Sequence, residues 1–189
     1  MIIGLCGKKG SGKDTIANYL CAHYGFINYG FGDPIKEIAR IMFQFSEEQL
    51  YGNQKDMLDV TWGIKPREFF QKFGTEYGQF ILPDHHPEVF EGINSRQFWV
   101  KCFWRWYQVK LKENPHLKVV ISDVRFLHEL TFIKEKGGYI IKVNRNGILK
   151  DGHLSEMEID TLDKDDFNAT IDNNGTLAEL HSKIIDLLN

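Results

Sequence analysis

Short apolar runs alternate with amphipathic stretches along the whole chain. The apolar runs predict five β-strands, at residues 1–6, 26–31, 117–122, 139–143 and 169–172. Apolar side chains at helical spacing predict helices between these runs, including long ones at residues 66–80 and 95–114. This alternation is typical of an α/β fold in which a parallel sheet carries helices on both faces. Such sheets bind ligands at the carboxyl ends of their strands.

Several polar residues predict where the helices begin. Asp33 is placed as an N-cap with Pro34 as the first helical residue, and Ser95 is expected to cap the helix at 95–114. Capping boxes are expected at two further helix starts, formed by Ser46 with Gln49 and by Thr176 with Glu179. The helix at 95–114 is predicted to be largely buried, because apolar residues cover most of its circumference: Phe98, Trp99, Cys102, Phe103, Trp106 and Val109.

Three segments lack either pattern. Residues 51–65 look like a loop, and residues 82–94 are rich in turn-forming residues. Residues 144–166 hold few large apolar side chains and many charged ones, so they are predicted to form a mobile lid. The chain of 189 residues is 42% hydrophobic, which is enough for one domain with such a lid.

Composition excludes several classes of partner. A net charge of −3 does not favour nucleic acid. The three cysteines, Cys6, Cys21 and Cys102, are widely spaced and indicate reduced residues of a cytoplasmic protein. We expect neither a signal peptide nor a membrane span, because no apolar run approaches the ~20 residues that a span requires.

A glycine-rich loop follows the first predicted strand. Residues 7–13 have the spacing G-x-x-x-x-G-K, and a helix is predicted directly after them. Glycines let backbone N–H groups surround a phosphate, and the helix N-terminus favours the same anion. Lys13 would lie over the β- and γ-phosphates. Asp14 stands where a Ser or Thr magnesium ligand is usual, and either its carboxylate or Thr15 could serve. The alternative is a glycine-rich turn without chemical meaning.

Two residues at the end of the third predicted strand are further candidates. Asp123 is placed to reach a magnesium ion, to contact substrate, or simply to cap a helix. Arg125 lies at the same strand edge and could neutralise a migrating phosphoryl group. Arg67 could hold a second phosphate in a bidentate manner, although a surface arginine paired with a carboxylate is the commoner case. The loop and the alternating pattern together predict a P-loop NTPase fold.

Six stretches of the chain carry a resemblance to a known family: GKKGSGKDT, GDPIKE, PREFFQKFGTE, FWVK, SDVR and TIDNNGTLAEL. They resemble bacteriophage-type deoxynucleoside monophosphate kinases, which transfer the γ-phosphoryl group of ATP to a deoxynucleoside monophosphate (dNMP). The tryptophan-rich helix at 95–114 could serve the subunit contact of a homodimer as well as a core. The resemblance implies that ATP, Mg²⁺ and a dNMP bind to this chain. It leaves the base preference and the exclusion of ribonucleotides open.

The resemblance also assigns roles to residues. From the residues alone, the pair Asn173-Asn174 could either read the adenine edge or cap a helix. By the resemblance, ATP and Mg²⁺ would be held by Gly10, Ser11, Gly12, Lys13, Asp14 and Thr15, with Asn174 and Gly175 next to the adenine. The acceptor nucleotide would contact Ile35, Lys36, Arg67, Gln71, Gly74, Thr75, Trp99 and Lys101. Asp123 and Arg125 would stand at the reaction centre. Asp14 and Asp123 are the metal candidates, and Lys13, Arg67 and Arg125 would do the catalytic work.

The chain departs from this family in two respects. It lacks an insertion before the helix that begins near Arg67, and its predicted lid contains one arginine, Arg145. Dephospho-coenzyme A kinase and phosphomevalonate kinase are alternatives within the same fold. A nucleotide-dependent switch or binding module is the alternative from another class, but the N-K-x-D motif common in such proteins is absent.

Overall fold

A computed structural model describes residues 1–148 and 162–188. These residues form two compact units. The sheet unit comprises the described residues of Met1–Gly30 and Trp106–Asn189, and the helical unit comprises Phe31–Arg105. The single domain with a lid over residues 144–166 stays a prediction, and residues 149–161 of that lid lie outside the described residues.

The sheet unit is built on five parallel strands within its described residues. They lie in the order β2-β3-β1-β4-β5, with β1 paired to both β3 and β4. Their bounds are β1 Ile2–Cys6, β2 Phe26–Tyr29, β3 Lys118–Val124, β4 Tyr139–Asn144 and β5 Ala169–Asp172. The predicted five-stranded parallel sheet is therefore confirmed. Because β1 is central, the loop that follows it emerges from the middle of the carboxyl edge.

The described α-helices are α1 Lys13–Tyr24, α2 Asp33–Phe43, α3 Glu47–Leu50, α4 Pro66–Lys72, α5 Leu82–His85, α6 Phe98–Glu113, α7 Leu127–Glu135 and α8 Leu177–Leu188. On one face of the sheet, Ile3 and Leu5 pack with Ile16 of α1 and Leu180 of α8. On the other face, a Cβ on Gly4 would lie 3.0 Å from Cδ1 of Ile133 in α7. Helices thus cover both faces, as predicted.

The helical unit packs its own aromatic cluster. Ala39, Phe45 and Leu50 are buried, and partly buried rings including Phe43 and Phe69 pack against them. The single helix predicted at 66–80 is wrong in detail. After α4 ends at Lys72, Phe73–Ile81 form the wider π-helix.

Trp99 accounts for the change in helix type. Its Nε1 donates to the carbonyl oxygen of Gly74 at 2.8 Å. A Cβ on Gly78 would lie 2.8 Å from Cζ2 of the same indole. Two glycines therefore let the tryptophan approach the backbone closely enough to hydrogen-bond a carbonyl of the helix, and an inserted donor of this kind can widen a helical turn.

Two predicted caps are confirmed and two are wrong. Ser46 with Gln49, and Thr176 with Glu179, form reciprocal hydrogen bonds. Asp33 is the first residue of α2, after Gly32. Asn94, not Ser95, caps the short 3₁₀ turn Ser95–Gln97 that leads into α6, since its side chain accepts from the N–H of Arg96 at 2.9 Å.

The burial predicted for α6 is partly wrong. Val109 is 41% exposed, whereas Val100 and Tyr107 are buried in its place. In the part of the chain that the structure describes, no helix has the length and apolar character needed to cross a bilayer.

Candidate active site

The glycine-rich loop joins β1 to α1, and its glycines are required by geometry. Gly7, Gly10 and Gly12 have φ angles of 149°, 80° and 106°, which side-chain-bearing residues rarely adopt. A Cβ on Gly7 would lie 2.3 Å from the carbonyl oxygen of Val143, and one on Gly12 would lie 2.3 Å from Nδ2 of Asn173. The loop is therefore packed against the ends of β4 and β5.

Lys13 closes this loop from within. Its Nζ donates to the carbonyl oxygens of Gly7 at 2.6 Å and Lys8 at 2.8 Å. The N–H of Ser11 also donates to the oxygen of Lys8 at 3.1 Å. Lys13 is only 8% exposed, so its charge is fixed at the centre of the loop and beside the positive end of α1.

Asn173 braces the loop from the end of β5. Its Nδ2 donates to the carbonyl oxygen of Ser11 at 2.8 Å. A pocket of about 300 Å³ lies beside this contact, with Asp14, Thr15 and Gly175 among its lining residues and Leu177 and Leu180 as its apolar part. A charged loop with an apolar wall suits a ligand that has phosphates at one end and a flat apolar ring at the other.

A second pocket of about 470 Å³ lies on the β4 side of the loop. Lys8, Lys142 and Arg145 bring positive charge to its lining. Ser11 also lines it, and the Ser11 hydroxyl, although buried, has no hydrogen-bond partner within the described structure. An unsatisfied buried hydroxyl among cations fits a site that receives an anion.

The oxygen ligands near the loop fit a magnesium ion that keeps most of its water. The Asp14 carboxylate and the Thr15 hydroxyl line the first pocket and are exposed. Asp123 is the last but one residue of β3, whose Val124 pairs with Cys6 just before the loop. Among the described residues, no cluster of three His, Cys, Asp or Glu side chains could hold a metal. Oxygen donors in small number are what Mg²⁺ uses when phosphates complete its shell.

Glu129 of α7 holds the backbone next to Arg125. Its Oε2 accepts from the N–H groups of Arg125 at 2.7 Å and Phe126 at 3.1 Å. Glu129 is 7% exposed. Burial, together with the nearby negative charge of Asp123, raises the pKa of Glu129 to about 8 against the opposing effect of the two N–H bonds. Sequence reasoning missed this residue.

The acceptor-site candidates of the helical unit have partners of their own. Arg67 forms a bidentate ion pair with Asp56, with Nε–Oδ1 at 2.6 Å and Nη2–Oδ2 at 3.1 Å. Lys36 pairs with Asp33 at 2.8 Å, and its Nζ lies 4.4 Å from the ring centroid of Tyr51. Burial, then the neighbouring carboxylates, raises the pKa of Tyr51 to about 12.

The other candidates in this unit differ in exposure. Ile35 is buried and lies against Gly74, where a Cβ would be 2.8 Å from its Cδ1. Gln71 and Thr75 are exposed on the same helical stretch. Lys101 is exposed, and its Nζ donates to the carbonyl oxygen of Val89 at 2.7 Å.

Comparison with known proteins identifies the family. A model of the deoxynucleotide monophosphate kinases matches residues 1–64 and 61–184. The chain belongs to the deoxynucleotide monophosphate kinase family. This is a family of phosphotransferases, and the family resemblance noted in the sequence is therefore confirmed.

Members of the kinase family differ in length. A protein of Acanthamoeba polyphaga mimivirus, provisionally named a deoxynucleotide monophosphate kinase, is 42% identical over 193 residues, covering 100% of this chain and 96% of its own. The deoxynucleotide monophosphate kinase of Escherichia phage RB69 is 24% identical over 245 residues, covering 99% of each chain. Since this chain has 189 residues, the phage kinase is longer. That the missing segment lies before the helix that begins near Arg67 stays a prediction.

Solved structures confirm the kinase fold. A dephospho-CoA kinase from Campylobacter jejuni has a TM-score of 0.53 and 14% identity, covering 99% of this chain and 94% of that one. A sugar kinase from Janibacter has a TM-score of 0.51 and 12% identity, covering 99% and 93%. At such identities the likeness concerns the fold alone, so it does not favour dephospho-coenzyme A as the acceptor.

The two asparagines after β5 have different contacts in this kinase. Asn173, the member of the pair that was not carried into the predicted site residues, lines the first pocket with Gly175. The side chain of Asn174 instead accepts from the N–H of Asn146 at 2.7 Å. Adjacent positions at a strand end point in different directions, and the dipeptide alone does not show which one reaches the loop.

Proposed function

We propose that this chain transfers the γ-phosphoryl group of ATP to a deoxynucleoside monophosphate, with Mg²⁺ as cofactor. The observation that carries the proposal is Lys13, held inside a glycine loop between two pockets in a member of this kinase family. The whole-chain relationship to the named kinases supports the acceptor class.

The sheet unit would bind the donor. Loop N–H groups and the N-terminus of α1 would receive the phosphates of ATP, and Lys13 would exchange its carbonyl partners for phosphate oxygens. Asp14 and Thr15, with Asp123 directly or through water, would hold Mg²⁺. The bound ion would supply positive charge to the β- and γ-phosphates.

The helical unit would bind the acceptor. Arg67 would leave Asp56 and hold the monophosphate through two of its guanidinium nitrogens. An oxygen of that monophosphate would attack the γ-phosphorus as the bond to the β–γ bridging oxygen breaks, so that ADP and a deoxynucleoside diphosphate leave. No strong base is required, because the attacking oxygen is already anionic. Arg125 and Lys13 would neutralise the charge on the migrating group.

The decisive experiment is ADP release from ATP and Mg²⁺, measured with each dNMP, the matching ribonucleotides, dephospho-coenzyme A and phosphomevalonate. We expect turnover with one or more dNMPs and direct detection of the deoxynucleoside diphosphate by chromatography. Lys13→Ala should lower kcat by about 100- to 1000-fold. Lys110→Ala, which removes a surface lysine paired with Glu113, is the matched control.

Two other outcomes would replace the proposal. Turnover with only a non-nucleotide acceptor would keep the donor site and reject the acceptor assignment. ATP binding without transfer to any acceptor would favour a nucleotide-dependent switch or binding module.

A further inference from the structure

The junction between β3 and α7 is short, and it carries Arg125 of the proposed reaction centre, two residues after Asp123 in β3. β3 ends at Val124 and α7 begins at Leu127, so Arg125 and Phe126 are the whole connection. Phe126 is the N-cap of α7 and Arg125 precedes it, so the N–H groups of both residues lie before the helical ladder and need an acceptor from elsewhere.

Glu129 supplies the acceptor from the first turn of α7. A single carboxylate oxygen receives both N–H groups of the junction, at 2.7 Å from Arg125 and 3.1 Å from Phe126. These bonds fix the backbone at Arg125, and through the intervening Val124, which is 1% exposed, they restrict Asp123.

A carboxylate in the first turn of a helix often accepts the N–H of the N-cap residue. Here the same oxygen also accepts the N–H of Arg125, and the side chain is only 7% exposed. Without this carboxylate, two partly buried N–H groups would lose their acceptor. Glu129 therefore holds the junction from the protein interior.

We propose that Glu129 is a positioning residue for phosphoryl transfer, holding the backbone that presents Asp123 and Arg125. This inference rests on the proposed function. In this proposal Glu129 does not touch substrate. It acts by fixing the position of Arg125, whose guanidinium would have to be placed against a phosphoryl group to within a fraction of an ångström.

The test uses two substitutions of similar size. Glu129→Leu fills the same volume but accepts no hydrogen bond, whereas Glu129→Gln keeps one acceptor oxygen. Ile133→Val is the matched control, because it trims a buried side chain of the same helix without touching the junction. We expect Glu129→Leu to lower kcat by about 100-fold while the Kd for ATP, measured by direct binding, is unchanged. Glu129→Gln should restore most of kcat, and Ile133→Val should have wild-type kcat below its unfolding temperature.

A second readout is independent of turnover. Amide hydrogen exchange at Arg125 and Phe126 should accelerate in Glu129→Leu and not in Ile133→Val. The positioning role is refuted if Glu129→Leu has the kcat of the control, or if those amides stay protected in it. If the wild-type protein releases no ADP in response to any dNMP, the proposed function itself fails and the role of Glu129 in it fails too. An active wild type with an equally active Glu129→Leu variant rejects the positioning role alone.

Discussion

Asn173→Ala removes one hydrogen bond from the phosphate-binding loop, and its effect on ATP binding can be bounded from the structure. The lost bond joins Nδ2 of Asn173 to the carbonyl oxygen of Ser11 at 2.8 Å. Ser11 is 1% exposed, and an acceptor left without a partner in such a place costs about 1–3 kcal/mol. The bond itself does not touch the nucleotide, so the part of the binding free energy that depends on this brace is limited to this amount. The limit corresponds to a Kd for ATP raised about 5- to 150-fold.

A matched asparagine lies at the other end of β5. The Oδ1 of Asn168 accepts from the N–H of Ile140 at 2.8 Å, and this bond too is partly buried. Asn168→Ala therefore removes a bond of the same kind from the same strand, but not from the loop. Both variants should lower the unfolding temperature, by about 2–4 °C for each kcal/mol lost. Only Asn173→Ala should weaken the binding of a fluorescent ATP analogue in a direct titration.

Two results would refute this reasoning. If Asn173→Ala binds the analogue with wild-type affinity, the brace does not preorganise the loop. If Asn168→Ala weakens binding to the same extent, the effect comes from general destabilisation of the sheet rather than from the contact with Ser11.

Three further variants or treatments test other parts of the molecule. Gly12→Ala should abolish ATP binding in the same titration, because φ is 106° and the new Cβ would lie 2.3 Å from a side-chain nitrogen. Gly25→Ala is its control, since φ there is 69° and nothing lies within 4 Å of the new Cβ. This control should lose only about 1 kcal/mol of stability to chemical denaturation. Burial raises the pKa of Cys6 to about 11, so only a small fraction of this thiol is ionised at pH 8. Iodoacetamide should therefore modify Cys6 at least about 200-fold more slowly than an ordinary thiol. Peptide mass spectrometry should detect the adduct only after unfolding. Arg67→Ala should raise the KM for the dNMP about 10- to 100-fold without changing the KM for ATP. Asp56→Asn should lower the KM for the dNMP up to about fivefold, because this change removes an exposed ion pair that competes for Arg67. Equal effects of Arg67→Ala on both KM values would contradict the assignment.

The phosphate-binding loop was predictable because its geometry depends on neighbours in sequence. The bonds that close it join Lys13 to Gly7 and Lys8, all within seven residues. The sheet was equally accessible, since strand and helix patterns alternate and parallel strands need crossover helices. Asn173 was not predictable in the same way. Its partner Ser11 lies 162 positions away, and nothing in the dipeptide at the end of β5 indicates which asparagine faces the loop.

The candidates for acceptor binding show a second limit of sequence reasoning. For Arg67 the sequence allowed both a phosphate ligand and a surface arginine paired with a carboxylate. That the carboxylate is Asp56 depends on how the short segment Asn53–Asp56 folds. No hydrophobic period describes that segment. The π-helix Phe73–Ile81 likewise follows from an indole 25 positions beyond Gly74. Helical spacing predicted that this stretch is helical, but a tertiary contact decided which kind of helix forms.

The bonds of Lys13 determine how the proposed donor site would gain its affinity. The ammonium already donates to two carbonyl oxygens of the loop and is only 8% exposed. A charge-assisted hydrogen bond of this kind contributes about 1.5–3 kcal/mol, so a phosphate that takes over either bond gains little free energy from that exchange. The net gain then comes from the loop N–H groups and the N-terminus of α1, which a phosphate can use without displacing Lys13 from the loop. Because the loop is already closed, little of that gain is lost to ordering the chain.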